Sequence, residues 1–94
     1  MTLKKLLYWL VAGSRGGPNR ARLLMLLSDR PANAKQISDS LKLDYKTVQH
    51  HVELLLKHGL LDAIGEGYGK AYTLSPEMEG MMDEIRKLVK NRKG

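Results

Sequence analysis

The chain contains no cysteine, so neither a disulfide staple nor a thiolate metal site is available to it. It also lacks a long hydrophobic run. The apolar stretch Leu6–Ala12, inside MTLKKLLYWLVAGS, is seven residues long, against the roughly 20 that a bilayer crossing needs. Lys4, Lys5 and the small residues that follow give this start the outline of an export signal. Seven residues lie at the bottom of the range for such a core. Leu3, Leu6, Leu7, Leu10 and Val11 recur instead at helical spacing, which predicts an amphipathic first helix over 1–12 in a cytoplasmic chain.

Other chemistries lack their residues as well. Gly65, Gly67 and Gly69 alternate, but no helix is expected after them, so they do not form a nucleotide fingerprint. The acidic residues of the last helix fall in its first turns, where the helix dipole favours them. No catalytic constellation emerges, and an enzyme is not expected. His50 and His51 are adjacent, about 100° apart on a helix, and His58 lies two turns beyond His51. These spacings do not make a shared metal site, so no metal and no cofactor are expected. His51 borders an apolar face and reads as a hydrogen-bonded structural histidine.

What the chain does have is positive charge, unevenly placed. Net charge is +6 over 94 residues. Residues 1–58 carry ten Lys/Arg and four Asp/Glu, whereas 59–94 carry six of each. The whole excess therefore lies in the first part. A basic face draws phosphate through counterion release, which points to nucleic acid. Ninety-four residues make one small domain. Such a domain is marginal alone, and a partner subunit is a common source of added stability.

The pattern of elements is mostly α with a small β-hairpin (α+β). GSRGGPN, 13–19, reads as a joint. Helix two runs over 19–29 with Asn19 as its cap, and Leu23-Leu24-Met25-Leu26-Leu27 makes it apolar all round, a central helix. Pro31 breaks the chain. Asn33 then caps a third helix, with Gln36 completing a capping box. Ile37 and Leu41 form its inner stripe, and Leu43 plugs the following turn. Asp44 caps a fourth helix over 45–58, closed by Gly59 in a left-handed stop with Leu60 behind it. LLDAIG and KAYTLS flank EGYG as a hairpin. Ser75 and Pro76 open a last helix running to residue 92, with Arg86, Lys87, Lys90, Arg92 and Lys93 at its far end.

The most informative stretch is NAKQISDSLKLDYKTVQHHVELLLKHG, 33–59. Two short helices meet at a tight turn. Val48, Val52 and Leu55 share one face of the second helix, flanked by Tyr45 and His51; Lys46, His50, Glu53 and Lys57 share the opposite face, with Gln49 to one side. This is the layout of a helix that packs on its own domain and enters a DNA groove. Its N-terminal half offers Tyr45, Lys46, Thr47, Gln49 and His50 as DNA contacts. Lys46 suits guanine or phosphate, Gln49 suits adenine, and Thr47 suits phosphate or a thymine methyl. Glu53 would repel phosphate, or accept from cytosine. Arg15, Arg20, Arg22 and Lys35 are candidate phosphate contacts around it, and Lys70 and Tyr68 a weaker contact from the hairpin.

RARLLMLLSDRPANAKQISDSLKLDYKTVQHHVELLLKHGLL and GKAYTLS resemble the core of ArsR-type transcriptional regulators, from Arg20 to Ser75. The carrying pattern is an LxL turn followed by xTVxxHVxxLxxxGLL. Helix, helix, turn, helix and a glycine-tipped hairpin read as a winged helix-turn-helix with extra N- and C-terminal helices, the resemblance implies a homodimeric repressor on double-stranded DNA, and the short apolar run gives no membrane partner. Metal sensors of that type use cysteines near the recognition helix or Asp/His sets on the last helix. This chain has no cysteine and no histidine from Glu77 to Arg92, so metal sensing is not carried over. ArsR-like dimers pair through their end helices, which nominates Leu3, Leu6, Leu7 and Leu10 with Met78, Met81, Met82, Ile85, Leu88 and Val89 as a subunit seam. Two apolar stripes beyond an already supplied core, together with Tyr8 and Trp9, favour the same conclusion. A protein–protein module and a sequence-neutral architectural DNA binder remain the alternatives. The residues name no small-molecule effector.

Overall fold

The fold is described from a computed structural model, over residues 2–91, with the side chains of Tyr68 and Asn91 outside that description. Arg92 and Lys93 also lie outside the described residues. Six helices and a small antiparallel sheet follow one another as α1 Leu3–Ala12, α2 Gly17–Asp29, β1 Ala32–Asn33, α3 Ala34–Leu41, α4 Tyr45–Lys57, β2 Leu61–Ile64, β3 Ala71–Leu74, α5 Pro76–Glu79 and α6 Met82–Asn91. The protein is a winged helix-turn-helix: α3 and α4 are the two-helix unit, and β2 and β3 are the wing.

Local chemistry fixes the ends of the two-helix unit. The Asn33 side chain accepts from the Gln36 amide at 2.8 Å, and the Gln36 side chain accepts from the Asn33 amide at 2.9 Å. This reciprocal box satisfies two amides that would otherwise lack partners at the helix start. Lys42 takes the left-handed conformation at φ 56° to turn from α3 into α4, and Leu43 packs half-buried against the core. Gly59 has φ 76°. The Leu60 amide donates to Leu55 O at 2.9 Å and the Gly59 amide to Leu56 O at 3.1 Å. These paired bonds end α4 in a Schellman motif, which a side chain at position 59 would strain.

Three differences from the sequence expectation have physical causes. Helix α2 begins at Gly17, not Asn19, because Pro18 occupies its first turn and fits there without an amide. Asn19 instead accepts from Arg22. Strand β1 is additional: Ala32 pairs with Tyr72 and Asn33 with Ala71, so β3 is central in the order β1-β3-β2. The last helix is broken. Gly80, a poor helix former, closes α5, and α6 restarts at Met82.

The core gathers Leu23, Leu24 and Leu27 of α2 with Ile37, Val48, Val52, Leu55, Leu60 and Leu74. It also takes Leu7, Leu10 and Val11 of α1 and Met78, Met82 and Ile85 from the C-terminal end. The end helices are thus part of the same core, and Lys4 of α1 reaches Glu84 of α6 at 3.5 Å. No helix among the described residues is long and apolar enough to cross a membrane.

Candidate nucleic-acid interface

Helix α4 is held by its apolar stripe. Val48, His51, Val52 and Leu55 are buried, whereas Tyr45, Lys46, Thr47, Gln49 and His50 are exposed. The Asp44 side chain accepts from the Lys46 amide at 3.1 Å, so the first turn is capped. Five side chains able to bond bases or phosphate therefore leave one rigid helix end.

An open cleft of about 780 Å³ lies between this helix, the start of α3 and the wing. The structure brings four of the nominated residues to it: Tyr45, Gln49, Lys35 and Lys70. Lys46, Thr47 and His50 are not among its walls. Glu53 and Tyr72 are. Burial raises the Tyr72 phenol above its usual range, and Tyr45 and Glu53 push it the same way. Tyr72 therefore stays a neutral donor and acceptor in the cleft. Its role was not visible in the sequence, because β1, which positions it opposite Ala32, was not.

The nominated arginines separate. Arg15 is exposed. Arg22 is exposed, and it donates to Leu41 O at 3.0 Å and Asn19 Oδ1 at 3.2 Å, bracing the end of α3. Lys35 is exposed and pairs with Asp39 at 3.7 Å, an arrangement worth little in water and open to a phosphate. Arg20 is a correction. It is 4% exposed, and its guanidinium is turned inward, away from any phosphate. Its Nε donates to Leu10 O at 2.8 Å, one terminal nitrogen contacts His51 Nδ1 at 3.2 Å, and the other donates to Ser14 Oγ. The physical reason is the joint: Gly16 and Gly17 bring α1 close enough for its last carbonyls to balance the charge.

Arginine offers only donors, so His51 Nδ1 is the acceptor and the neutral ring carries its proton on Nε2. His51 is 5% exposed. Burial holds its pKa below the ordinary value, with Arg20 and then His50 adding to the effect. His51 is the hydrogen-bonded structural histidine expected from its place beside the apolar face. No group of three or more His, Asp or Glu side chains among the described residues could hold a metal ion.

The wing is not basic. Asp62, Glu66 and Lys70 are exposed on it, as is Ile64. The Tyr68 side chain, nominated as a wing contact, lies outside the described residues.

The residues nominated for a subunit seam also divide. Leu7, Leu10, Met78, Met82 and Ile85 are at most 4% exposed within the single chain. Their placement at a seam is corrected, since each already packs in its own core. Leu3, Leu6, Met81, Leu88 and Val89 are only half-buried against that core. Beside them Tyr8 and Trp9 are exposed, Trp9 by 55%.

Comparison with known proteins agrees with this architecture. The family model described as "Bacterial regulatory protein, arsR family" matches residues 17–63, half of the chain. No curated protein matches the chain significantly. Among solved structures, reduced HlyU from Vibrio cholerae is similar at TM-score 0.71 and 23% identity, covering 90% of this chain and 87% of that one. Rv0081 from Mycobacterium tuberculosis gives TM-score 0.74 and 21% identity, covering 95% and 87%. Mb0332 from Mycobacterium bovis, described as a homodimeric winged helix-turn-helix DNA-binding domain, gives 0.72 and 17%, covering 95% and 83%. At these identities the solved structures speak for the fold, and the family match over 17–63 speaks for descent. The chain belongs to the arsR family of bacterial regulatory proteins, as a winged helix-turn-helix DNA-binding regulator.

Proposed function

We propose that the protein is a homodimeric, sequence-specific transcriptional regulator that lays α4 in the major groove of double-stranded DNA. The observation that carries this reading is the exposed N-terminal half of α4, fixed from beneath by Val48, Val52 and Leu55. Lys46, Gln49 and His50 would meet base edges, and Thr47 and Tyr45 their surroundings. Lys35 and Lys70, both on the wall of the cleft, suit a sugar–phosphate strand passing between α3 and the wing. Arg15 and Arg22 are exposed cations that would extend the phosphate contacts. The whole chain acts as one domain, and the end helices supply the dimer. Trp9, Tyr8 and the half-buried Leu3, Leu6, Met81, Leu88 and Val89 offer an apolar seam, and the homodimeric description of Mb0332 supports the same assembly.

Fluorescence anisotropy on a selected duplex, with unrelated DNA as competitor, tests the reading. A specific regulator keeps a preference of ~10³-fold or more. Lys46→Ala and Gln49→Ala should each cost ~1–3 kcal/mol if they read bases. Unchanged affinity in both variants removes α4 as the reader. Equal affinity for all duplexes makes the protein a sequence-neutral binder.

A further inference from the structure

The one buried cation of the described core is bonded to the recognition helix. Arg20 links three parts of the chain: the last turn of α1 through Leu10 O, the joint through Ser14 Oγ, and α4 through His51 Nδ1. Ser14 Oγ itself donates to Leu10 O at 3.1 Å, closing the network. No carboxylate pairs with Arg20 or His51 among the described residues. The charged and titratable side chains acting on the His51 ring are Arg20 from α2 and His50 from α4 itself. Both oppose a second positive charge.

The joint packs directly on the pair at Gly16. A Cβ at Gly16 would lie 2.7 Å from the Arg20 guanidinium and 2.7 Å from His51 Cε1. A proton arriving at Nδ1 would occupy the lone pair that receives the Arg20 N–H and would set two cations 3.2 Å apart. The contact then has to break, and α4 loses its tie to the end of α1.

We propose, resting on the DNA-binding reading above, that Arg20 and His51 form a proton-sensitive latch: with His51 neutral, the latch holds the recognition helix against the α1 end in the DNA-binding arrangement, and protonation of His51 at Nδ1 releases it. Arg20 and His51 are positioning residues in this scheme, since neither faces the groove. DNA binding weakens on acidification, and by reciprocity DNA binding makes His51 harder to protonate.

The sign separates this from simpler effects. A histidine that merely sits near phosphate becomes easier to protonate when DNA binds. Stability follows the latch in direction. The folded ring takes up a proton less readily than the unfolded one, so stability is lost as pH falls below about 6.5 and goes on falling until the folded ring titrates.

The experiment measures affinity for a selected duplex from about pH 8 to about pH 5 in the unaltered chain and in His51→Asn, with far-UV circular dichroism to follow folding. His51→Asn keeps an acceptor near the Nδ1 position and removes the titrating ring, while every other histidine is common to both proteins. The latch predicts a loss of roughly 5- to 100-fold on acidification, absent in His51→Asn. Proton NMR of His51 Cε1–H in the unaltered chain supplies a reading that needs no variant, and the duplex should lower its pKa. Binding that is flat with pH, a loss that persists in His51→Asn, a loss that coincides with unfolding, or a His51 pKa raised by DNA would each overturn the latch. Absence of specific binding even near pH 8 would instead remove the regulator reading on which it rests.

Discussion

Replacing Arg20 by methionine separates a structural arginine from a phosphate contact. The change keeps much of the stem and removes the guanidinium. His51 Nδ1 would lose its donor inside a site that is 5% exposed. Leu10 O would keep only Ser14 Oγ. A buried acceptor left without a donor costs about 1–3 kcal/mol, and charged hydrogen bonds contribute about 1.5–3 kcal/mol each. Relief from burying the charge offsets part of this, leaving a net loss of about 2–4 kcal/mol. The chain's total stability is about 5–14 kcal/mol by length. The expected fall in melting temperature is about 10–25 °C at fixed protein concentration. Arg22→Met is the control, because Arg22 is exposed and should cost about 1 kcal/mol or less. The salt dependence of DNA binding reads the other role. Loss of one phosphate contact lowers the slope of log K against log salt by about 0.9. Arg22→Met is expected to do that, and Arg20→Met is not. A variant at Arg20 that melts normally but binds DNA with a reduced salt slope would refute the inward placement.

Three further outcomes are expected. Trp9→Glu puts a charge on the apolar seam and should weaken the dimer by about 2 kcal/mol or more, read by analytical ultracentrifugation; an unchanged monomer–dimer equilibrium would move the seam elsewhere. Glu53→Gln removes the carboxylate from the cleft wall and should tighten binding to unrelated DNA, by roughly 0.2–1 kcal/mol for one exposed charge, with weaker binding counting against a cleft that holds phosphate. Gly17→Ala would place a Cβ 2.0 Å from Val11 O; the backbone must shift, and chemical denaturation should show a loss of about 1–3 kcal/mol or more.

Local signals made much of this protein legible from its residues. The Asn33–Gln36 box, the Asp44 cap, Ser75 bonded to the Met78 amide and the left-handed Gly59 each act within a few residues. The exposed face of α4 follows from a helical period that the buried Val48, Val52 and Leu55 obey. What escaped depends on distant partners. A two-residue strand has no alternation to detect, and β1 exists because β3 passes beside it. Arg20 near a helix start looks like a surface cation until the glycine joint folds the α1 carbonyls over it. The end-helix stripes show periodicity but not what covers them. Leu10 and Ile85 pack inward while Trp9 stays in solvent.

In the proposed dimer, two copies of α4 read a symmetric DNA site. Selection of bound duplexes from random sequence tests it most directly. Enrichment of a pseudo-palindrome with half-sites about one helical turn apart, ~34 Å, is expected, with loss of that preference in Gln49→Ala. Enrichment of a single asymmetric site, or no enrichment over the starting pool, would contradict it.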